Sequence, residues 1–404
     1  MRFAPVRWWS REPAVGRTVR LSLPREAPPA SITVVVPCYR YGHYLRRIVD
    51  SVLEQHDVHA RVIIVDDASP DDSADVARSI AAEDDRVTLL VHEENKGHIA
   101  TYNDGFDLVE TEFVTLVSAD DLVAPGALGR ATRLMTAHPK VGVVYGPVID
   151  FVGDDTPTGE YRWGRETWSV WGGHEWFATL TRRGRNRILS PEAVMRTAAM
   201  RDVGPYNAAL PHSGDLEYWL RTAARWDVGR VNGRAQAYYR VHGANMHLEH
   251  FDATAEDLRQ RELAFAAIAG RDLPAPLDGP SEHLRARMAL AREALLDARR
   301  RLDRGADSES VRPLVEFAVE IVPGLRATGA ARAVDRRVRR ADAGLAPSRA
   351  QRALEFACSQ VDRVRWKGRN VLGIGNVAKH LAPTPAHRSA TTIIAASAAQ
   401  EERR

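Results

Sequence analysis

The sequence predicts an α/β protein in which a mainly parallel sheet is covered by helices on both faces and is followed by a helical C-terminal region. Two observations favour this fold class. Between residues 32 and 145, short apolar β-rich runs alternate with amphipathic segments, which is typical of parallel βαβ units. Beyond residue 252, Arg-rich segments have apolar residues at helical spacing, which predicts helices.

The predicted strands and helices alternate in chain order. Apolar runs predict buried strands at 32–36, 62–65, 87–91, 113–117 and 141–145. One-sided apolar spacing predicts helices at 44–55, 97–109 and 125–137. A further helix is predicted to begin at Ser69-Pro70, with Ser69 as its cap and Pro70 at its first position.

Composition and charge exclude several functional classes. A net charge of +3 over 404 residues argues against a nucleic-acid partner. Cys38 and Cys358 are too few for a disulfide framework or a thiolate metal site. The sequence has no signal-peptide pattern and no run of about 20 apolar residues. We therefore expect a cytoplasmic protein that would reach the inner face of the cell membrane only from its surface.

Polar residues cluster where the predicted strands end, in the ranges 37–40, 66–67, 92–97 and 118–121. Ligands of parallel sheets bind outside the carboxyl ends of the strands. The adjacent carboxylates of Asp120 and Asp121 suit Mg²⁺ or Mn²⁺, which prefer oxygen ligands and retain open positions for substrate phosphates. The alternative is an ordinary Asp-rich turn after a strand.

Several segments, in this order, resemble the motifs of family 2 glycosyltransferases with the GT-A fold. They are VVVPCY at 34–39, VDDASPD at 65–71, NKG at 95–97, SADD at 118–121, VGPYN at 203–207, SGDLEYWLR at 213–221 and YRVHGAN at 239–245. Together they cover about residues 32 to 250. The resemblance implies a Rossmann-like GT-A domain that uses a nucleoside-diphosphate sugar.

The resemblance also implies a donor site. Asp67 would accept a hydrogen bond from the nucleotide base, and the segment from Pro37 to Tyr39 would line the same pocket. Lys96 could reach a phosphate, although a solvated loop lysine is an equal alternative. Arg240 could bind a phosphate bidentately or could only pair with an acid.

A divalent metal is implied at the end of the fourth strand. Asp121 would be its more direct ligand, and Asp120 would either bind the metal or contact the ribose or the donor sugar. His242 would bring an imidazole towards the metal and so favour Mn²⁺ over Mg²⁺. The alternative is that His242 is an ordinary surface or core histidine.

Asp215 is the candidate catalytic base. Ser213 can cap a helix with an apolar stripe of Leu216, Trp219, Leu220 and Ala223, which places Asp215 in the first turn, facing away from the core. A carboxylate there could take the proton of an acceptor hydroxyl during direct displacement, which inverts the anomeric configuration. The alternatives are that Asp215 only complements the helix dipole, and that Glu217 is the base.

These expectations divide the chain into four parts. They are an N-terminal arm (1–30), a GT-A domain (31–250) with a nucleotide-binding half (31–150) and an acceptor half (151–250), a helical C-terminal region (251–380) and a disordered tail (381–404). The Arg-rich C-terminal helices would pack on a neighbouring domain or contact anionic lipid.

The expected function is metal-assisted, inverting transfer of a hexose from a donor, UDP-linked in the first instance, to a hydroxyl acceptor. The acceptor would be a glycan, a lipid-linked molecule or a small molecule, in cell-surface polysaccharide or glycoconjugate synthesis. One rival is a catalytically silent nucleotide-binding scaffold whose C-terminal helices bind a partner. Another is a sugar nucleotidyltransferase, whose Gly-rich phosphate loop is missing after the first predicted strand.

Overall fold

The computed structural model of the chain describes residues 17–19, 29–153, 157, 159–242, 254–371 and 377–379. The predicted tail at 381–404 lies outside these residues, as do most of the predicted N-terminal arm and Asn245. The strands are β1 (Arg17–Val19), β2 (Ala30–Cys38), β3 (Val58–Asp66), β4 (Val87–Val91), β5 (Phe113–Leu116), β6 (Leu122–Val123), β7 (Val141–Tyr145), β8 (Val148–Val152), β9 (Arg162–Trp171), β10 (Val194–Arg196), β11 (Asp227–Arg234), β12 (Ala237–Val241) and β13 (Val377–Lys379).

The helices are α1 (Gly42–Leu53), α2 (Ser73–Glu83), α3 (His98–Asp107), α4 (Ala127–Ala137), α5 (Gly173–Arg183), α6 (Thr197–Val203), α7 (Gly214–Arg225), α8 (Thr254–Ala269), α9 (Gly279–Arg304), α10 (Arg312–Ile321), α11 (Gly329–Asp342) and α12 (Arg349–Val371). Two short 3₁₀ helices, Glu309–Val311 and Pro323–Ala327, lie in the C-terminal region.

A nine-stranded sheet with the order β1-β9-β11-β7-β10-β5-β2-β3-β4 forms the centre of the molecule. The half made by β5, β2, β3 and β4 is parallel throughout, which confirms the predicted βαβ units. In the other half, β10 is antiparallel to both β5 and β7, and β9 is antiparallel to β11. The sheet is therefore mainly parallel next to the predicted donor site and mixed towards the acceptor half.

The register of the parallel half aligns the carboxyl ends of its strands. Cys38 pairs with Asp66, and Asp66 pairs with Val91, so β2, β3 and β4 end level with one another. Leu116 at the end of β5 pairs with Val35, three residues before the end of β2. The segments after these four strands therefore meet at one edge of the sheet, as the sequence predicted.

Helices cover both faces of this sheet, and side chains divide between two cores. Val35 belongs to a core with α3, α5 and α7, whereas Val34 and Val36 belong to a core with α1, α2 and α4. This division follows from the alternation of side chains along a strand. The doubly covered sheet is the predicted architecture.

A second, four-stranded sheet with the order β13-β8-β12-β6 lies beside the first. In it β12 is antiparallel to β6, with Tyr238 opposite Leu122, and parallel to β8, with Arg240 opposite Phe151. Because β6 follows Asp121 directly, this pairing brings the motif at 239–242 to the carboxylates after β5. Two sequence motifs about 120 residues apart thus meet.

One predicted helix boundary is wrong. The helix expected to begin at Ser69-Pro70 begins at Ser73, with Asp72 at its N-cap position. Ser69 lies before this N-cap, where its N–H and hydroxyl donate to the carboxylate of Asp66 at 3.0 Å and 2.7 Å and its hydroxyl oxygen accepts the N–H of Arg40 at 2.9 Å. The serine closes a turn after β3 and does not open the helix.

The helical C-terminal region is confirmed, and it packs on the acceptor half. Its residues Leu258, Phe265 and Leu290 share one hydrophobic core with Trp176 and Phe177 of α5. The Thr181 hydroxyl donates to Glu282 of α9 at 2.6 Å, a contact that crosses this boundary. Among the described residues, no helix combines the length and apolar character that crossing a bilayer requires.

Candidate active site

The loop after β2 lies against the loop after β3. The N–H of Asp67 donates to the Cys38 carbonyl at 2.9 Å, and the N–H of Arg40 donates to the Ser69 hydroxyl at 2.9 Å. Pro37 is half-buried, and the Tyr39 side chain is 44% exposed. The structure therefore brings Pro37, Tyr39 and Asp67 together at the sheet edge and leaves the tyrosine ring in solvent.

Asp67 holds the loop after β4 in place through hydrogen bonds. Its Oδ1 accepts from His92 Nδ1 and from the N–H of Lys96, both at 2.8 Å, and its Oδ2 accepts from the N–H of Gly97 at 2.9 Å. Burial opposes ionisation of this carboxyl, but the three donors hold its pKa below its ordinary value. Asp67 is thus an ionised carboxylate, 4% exposed, whose position is fixed by residues 92–97.

Lys96 lies at the surface of the same loop. Its Nζ is 2.9 Å from Oδ2 of Asp104 on α3, and its side chain is 45% exposed. This hydrogen bond raises the pKa of Lys96. The ammonium group is therefore paired within the protein and also open to solvent at the sheet edge.

Asp120 and Asp121 are adjacent in sequence but have different partners. Asp121 Oδ1 accepts the N–H of Arg240 at 2.9 Å, whereas Asp120 Oδ2 lies 3.0 Å from Nε2 of His242. Burial, followed by the charge of Asp120, raises the pKa of Asp121 well above its ordinary value. Asp121 therefore joins the loop to β12, and Asp120 is the carboxylate that faces the histidine.

Arg240 is buried beneath these carboxylates and is 1% exposed. Its guanidinium lies 4.4 Å from the ring centre of Tyr44 and 4.5 Å from that of Phe151. Its Nε donates to the Asp120 carbonyl at 2.9 Å, and another guanidinium N–H donates to the Gly153 carbonyl. The structure thus places Arg240 against main-chain carbonyls and aromatic rings.

Two of the three predicted metal ligands, Asp120 and His242, face each other. Within the ranges that the structure describes, no group of three or more His, Cys, Asp or Glu side chains has the geometry of a metal site. Asp120 and His242 provide a carboxylate oxygen and an imidazole nitrogen 3.0 Å apart, a donor pair that suits Mn²⁺. An ion held by these two protein ligands would keep open positions for phosphate oxygens, so the donor pair fits a divalent metal.

Asp215 lies in the first turn of α7, as predicted, with Leu216, Trp219, Leu220 and Ala223 buried along the helix. Ser213 occupies the N-cap position, but its side chain makes no capping hydrogen bond, contrary to expectation. The Ser190 hydroxyl donates to Asp215 Oδ2, and the Tyr206 hydroxyl also hydrogen-bonds to this carboxyl. Burial raises the pKa of Asp215 despite these two bonds and the nearby His98.

Tyr102 of α3 is electrostatically coupled to both groups of candidate acids. Burial and the charges of Asp215, Asp120 and Asp121 raise the pKa of its hydroxyl. Each of the three carboxyl groups is therefore within electrostatic range of one phenol. The candidate base and the two candidate carboxylate ligands therefore affect the pKa of one phenol.

Glu217 is not available as a fallback base. Its side chain is fully buried, with Oε1 2.8 Å from Nε of Arg221 and 3.1 Å from a guanidinium nitrogen of Arg271. Arg271 follows α8, so this carboxylate joins the acceptor half to the C-terminal region. It serves as an ion-pair centre for the fold.

Sequence reasoning missed the partners of the two key acids. His92 binds Asp67, and Ser190 binds Asp215 from 25 positions away. Glu192, also missed, is a buried acid whose pKa burial raises to about 8. His92 followed a predicted strand, a signal that was present in the sequence. Nothing in the local pattern singled out Ser190 or Glu192.

The chain was compared with known proteins. Residues 33–201 match the sequence model of the family described as Glycosyl transferase family 2. A 93-residue segment is 40% identical to glycosyltransferase GlyG of Streptococcus pneumoniae serotype 4 and covers 23% of this chain and 31% of that protein. A 230-residue segment is 28% identical to the uncharacterized glycosyltransferase alr2836 of Nostoc sp. and covers 56% of this chain and 69% of that one.

The fold is also similar to that of a solved structure. S. aureus TarS 1-349 in complex with UDP-GlcNAc matches with a TM-score of 0.53 and 16% identity, over 78% of this chain and 92% of that chain. At this identity the match shows a common fold. The chain spans less than a third of the length of GlyG.

Proposed function

This chain belongs to glycosyl transferase family 2, and we propose that it transfers a hexose from a nucleoside-diphosphate donor to a hydroxyl acceptor with inversion. The observation that supports this proposal most strongly is that carboxylates from two separate segments influence Tyr102. Asp120 and Asp121 follow β5 and Asp215 lies on α7, yet the charges of all three raise the pKa of the same Tyr102 hydroxyl. Such a transferase needs a diphosphate site next to a proton acceptor.

Asp215 is the proposed base. A general base is most effective when its pKa approaches the working pH, and burial raises the pKa of this carboxyl. The hydrogen bonds from Ser190 and Tyr206 would hold its oxygens in place while it removes the proton of an acceptor hydroxyl. Attack by that oxygen from the side opposite the leaving diphosphate inverts the anomeric carbon.

Asp120 and His242 are the proposed protein ligands of a divalent cation, Mn²⁺ or Mg²⁺. Such an ion supplies Lewis-acid stabilisation of the charge on the departing diphosphate. Asp121 would contribute by holding the loop in place through the N–H of Arg240. Lys96, which is paired with Asp104 but open to solvent, is the proposed contact for an outer phosphate.

The proposed donor is a UDP-sugar. A carboxylate has about four lone-pair positions, and Asp67 uses two on Oδ1 and one on Oδ2 for protein donors. The remaining position on Oδ2 suits the imide N–H of uracil, with Pro37 and Tyr39 beside it. The TarS complex with UDP-GlcNAc supports a uridine nucleotide for this fold.

The proposed acceptor is a hydroxyl of a glycan, a lipid-linked molecule or a small molecule, in cell-surface polysaccharide or glycoconjugate synthesis. The basic C-terminal helices are the proposed surface for any contact with anionic lipid at the inner face of the cell membrane.

Thermal shift with UDP, GDP and dTDP, each with Mn²⁺ or with EDTA, tests the donor site. We expect stabilisation by UDP that depends on Mn²⁺ and is lost in Asp120→Asn, since ligand at 100 times its Kd adds about 2.7 kcal/mol. Asp57→Asn is a matched control, because Asp57 pairs with Arg133 just before β3, at the opposite end of that strand. Absence of stabilisation by all three nucleotides would overturn the donor assignment.

A turnover assay separates an enzyme from a silent scaffold. UDP release from UDP-glucose and UDP-GlcNAc is measured with a panel of sugar acceptors, for the wild type and Asp215→Asn. We expect release by the wild type and its loss in the variant. Donor binding without release from any pair would instead support a scaffold.

A further inference from the structure

The loop between α5 and β10 contains an unusual backbone conformation beside Asp215. Ser190 has φ of +87°, in the left-handed region that side-chain-bearing residues rarely adopt. In the described part of the chain, the other non-glycine residues with positive φ are Arg40 and Ala68. Those two adjoin the predicted nucleotide pocket, so all three conformations lie near the proposed site.

This conformation is held by hydrogen bonds within the loop. The Ser190 carbonyl accepts from the N–H of Ala193 at 3.0 Å, and Glu192 Oε1 accepts from the N–H of Leu189 at 2.8 Å. Glu192 is itself buried. Left-handed conformations of residues other than glycine cost free energy and persist where the surrounding structure enforces them, often at functional sites.

We propose that Ser190 is a positioning residue that orients the carboxylate of Asp215 for proton removal from the acceptor. The Ser190 hydroxyl donates to Asp215 Oδ2 from a loop that is separate from α7. A hydroxyl hydrogen that points at the carboxylate favours its ionised form and fixes its rotation. The inference rests on the proposed function, in which Asp215 is the base.

Other groups also face Asp215 and set the background for this effect. The Tyr206 hydroxyl hydrogen-bonds to the carboxyl, and His98 of α3 favours its charged form. Glu192 and Tyr102 are within electrostatic range. Among these groups, Ser190 combines a direct hydrogen bond to Asp215 with a strained backbone. Substitution of Ser190 removes its hydroxyl and leaves the other groups in place.

Two variants separate the hydroxyl from the backbone. Ser190→Ala removes the hydroxyl and retains the strained conformation, whereas Ser190→Gly removes the hydroxyl and also relieves the strain. If the hydroxyl orients Asp215, both variants shift the midpoint of the acidic limb of the kcat/KM profile upward by about one pH unit, and both lower kcat. KM for the UDP-sugar should stay unchanged, because the donor pocket is built from other loops.

The outcome that overturns the inference is a wild-type pH profile in Ser190→Gly, which would assign any defect in Ser190→Ala to the backbone. A second measurement does not depend on turnover. ¹³C NMR of the carboxyl groups, with the Asp215 signal identified by its loss in Asp215→Asn, should show a higher titration midpoint in both variants. An unchanged midpoint would also overturn the inference.

Failure of the proposed function would look different. If Asp215→Asn retained wild-type turnover, Asp215 would not be the base, whatever the Ser190 variants did. If Asp215→Asn were inactive and both Ser190 variants kept the wild-type profile and midpoint, the base would stand and only the role of Ser190 would fall.

Discussion

The main-chain nitrogen of Arg240 lies 2.9 Å from Oδ1 of Asp121, and this hydrogen bond joins the loop after β5 to the second sheet. The same arginine donates from Nε to the carbonyl of Asp120. One residue of β12 therefore fixes both members of the carboxylate pair, with its guanidinium held between Tyr44 and Phe151. This arrangement makes the shape of the loop after β5 depend on a buried cation.

Arg240→Met should destabilise the fold and weaken donor binding. The substitution leaves the carbonyls of Asp120 and Gly153 without their buried donor and removes two cation–π contacts. We expect a loss of about 3 kcal/mol or more in the free energy of unfolding, measured with urea. Arg240→Lys should recover little of this loss, because an ammonium group cannot reproduce the planar contacts. Wild-type unfolding of Arg240→Met would contradict the structural role.

Asp120→Asn and Asp121→Asn should differ in their effect on Mn²⁺. Asp120 faces His242, so its amide variant should lose the Mn²⁺-dependent part of UDP stabilisation. Asparagine at 121 can still accept the N–H of Arg240, so this variant should retain more of that stabilisation. Isothermal titration with Mn²⁺ and UDP would compare them, and a greater loss in Asp121→Asn would restore the order that the family resemblance implied.

Asp67→Asn should destabilise the protein at neutral pH and have a smaller effect in acid. The pKa of Asp67 is lowered in the folded state, so its contribution is present above the ordinary value of 3.8 and is lost as the pH falls through the folded value. We expect a cost of about 1–3 kcal/mol at pH 7. Urea unfolding at several pH values would reveal the trend, and a pH-independent difference would contradict it.

Glu192→Gln should make stability less dependent on pH. The pKa of Glu192 is about 8 in the folded protein and 4.5 in a model peptide. Between these pH values the folded state binds a proton that the unfolded state does not. The free energy of unfolding therefore falls by roughly 1.4 kcal/mol for each unit by which the pH rises. The glutamine variant should lack this slope and gain stability relative to the wild type as the pH rises from 5 to 8. Parallel curves for the two proteins would rule out the proton uptake.

Arg221→Ala and Arg271→Ala should differ strongly, although both residues pair with Glu217. The Arg221 side chain is 6% exposed and that of Arg271 is 45% exposed. Loss of the buried partner should cost roughly 3–5 kcal/mol, whereas loss of the exposed one should cost less than about 1 kcal/mol. Thermal unfolding of both variants measures the difference. Equal losses would mean that Arg271 is needed for docking of the C-terminal region.

The parallel half of the fold could be predicted because its strands are buried on both faces. Burial on both faces requires an apolar run such as that from Ile32 to Val36. The helices that cover these strands have apolar residues along one side, as α1 shows. The three-residue strand β10 is too short to produce a periodic pattern, so its antiparallel insertion between β5 and β7 was not predicted. A repeating apolar pattern reveals which residues are buried, but a strand of this length is too short to show such a pattern.

The candidate site could be predicted as a set of residues but not as a set of contacts. The motifs identified Asp67, Asp120, Asp121, Asp215 and His242, and their positions at strand ends and helix starts agree with the structure. The partners of these acids come from distant segments, since Arg240 is 119 positions from Asp121. Ser69 illustrates the same limit, because its local pattern suggested a helix cap, whereas its hydroxyl oxygen accepts the N–H of Arg40 from the loop after β2.

Because α5 and the C-terminal helices share one core, the surroundings of Asp215 and those of Asp67 depend to different degrees on the last third of the chain. One face of the parallel half packs on α1, α2 and α4 in the other core, and its opposite face packs on α3 in this core. The helix α7, which carries Asp215, packs on α5 and α8 and therefore depends on the last third of the chain. If Asp215 is the base and Asp67 binds the donor, as proposed, a lineage that altered those outer helices would change the surroundings of the base more than those of the donor, and acceptor choice could diversify at a constant donor.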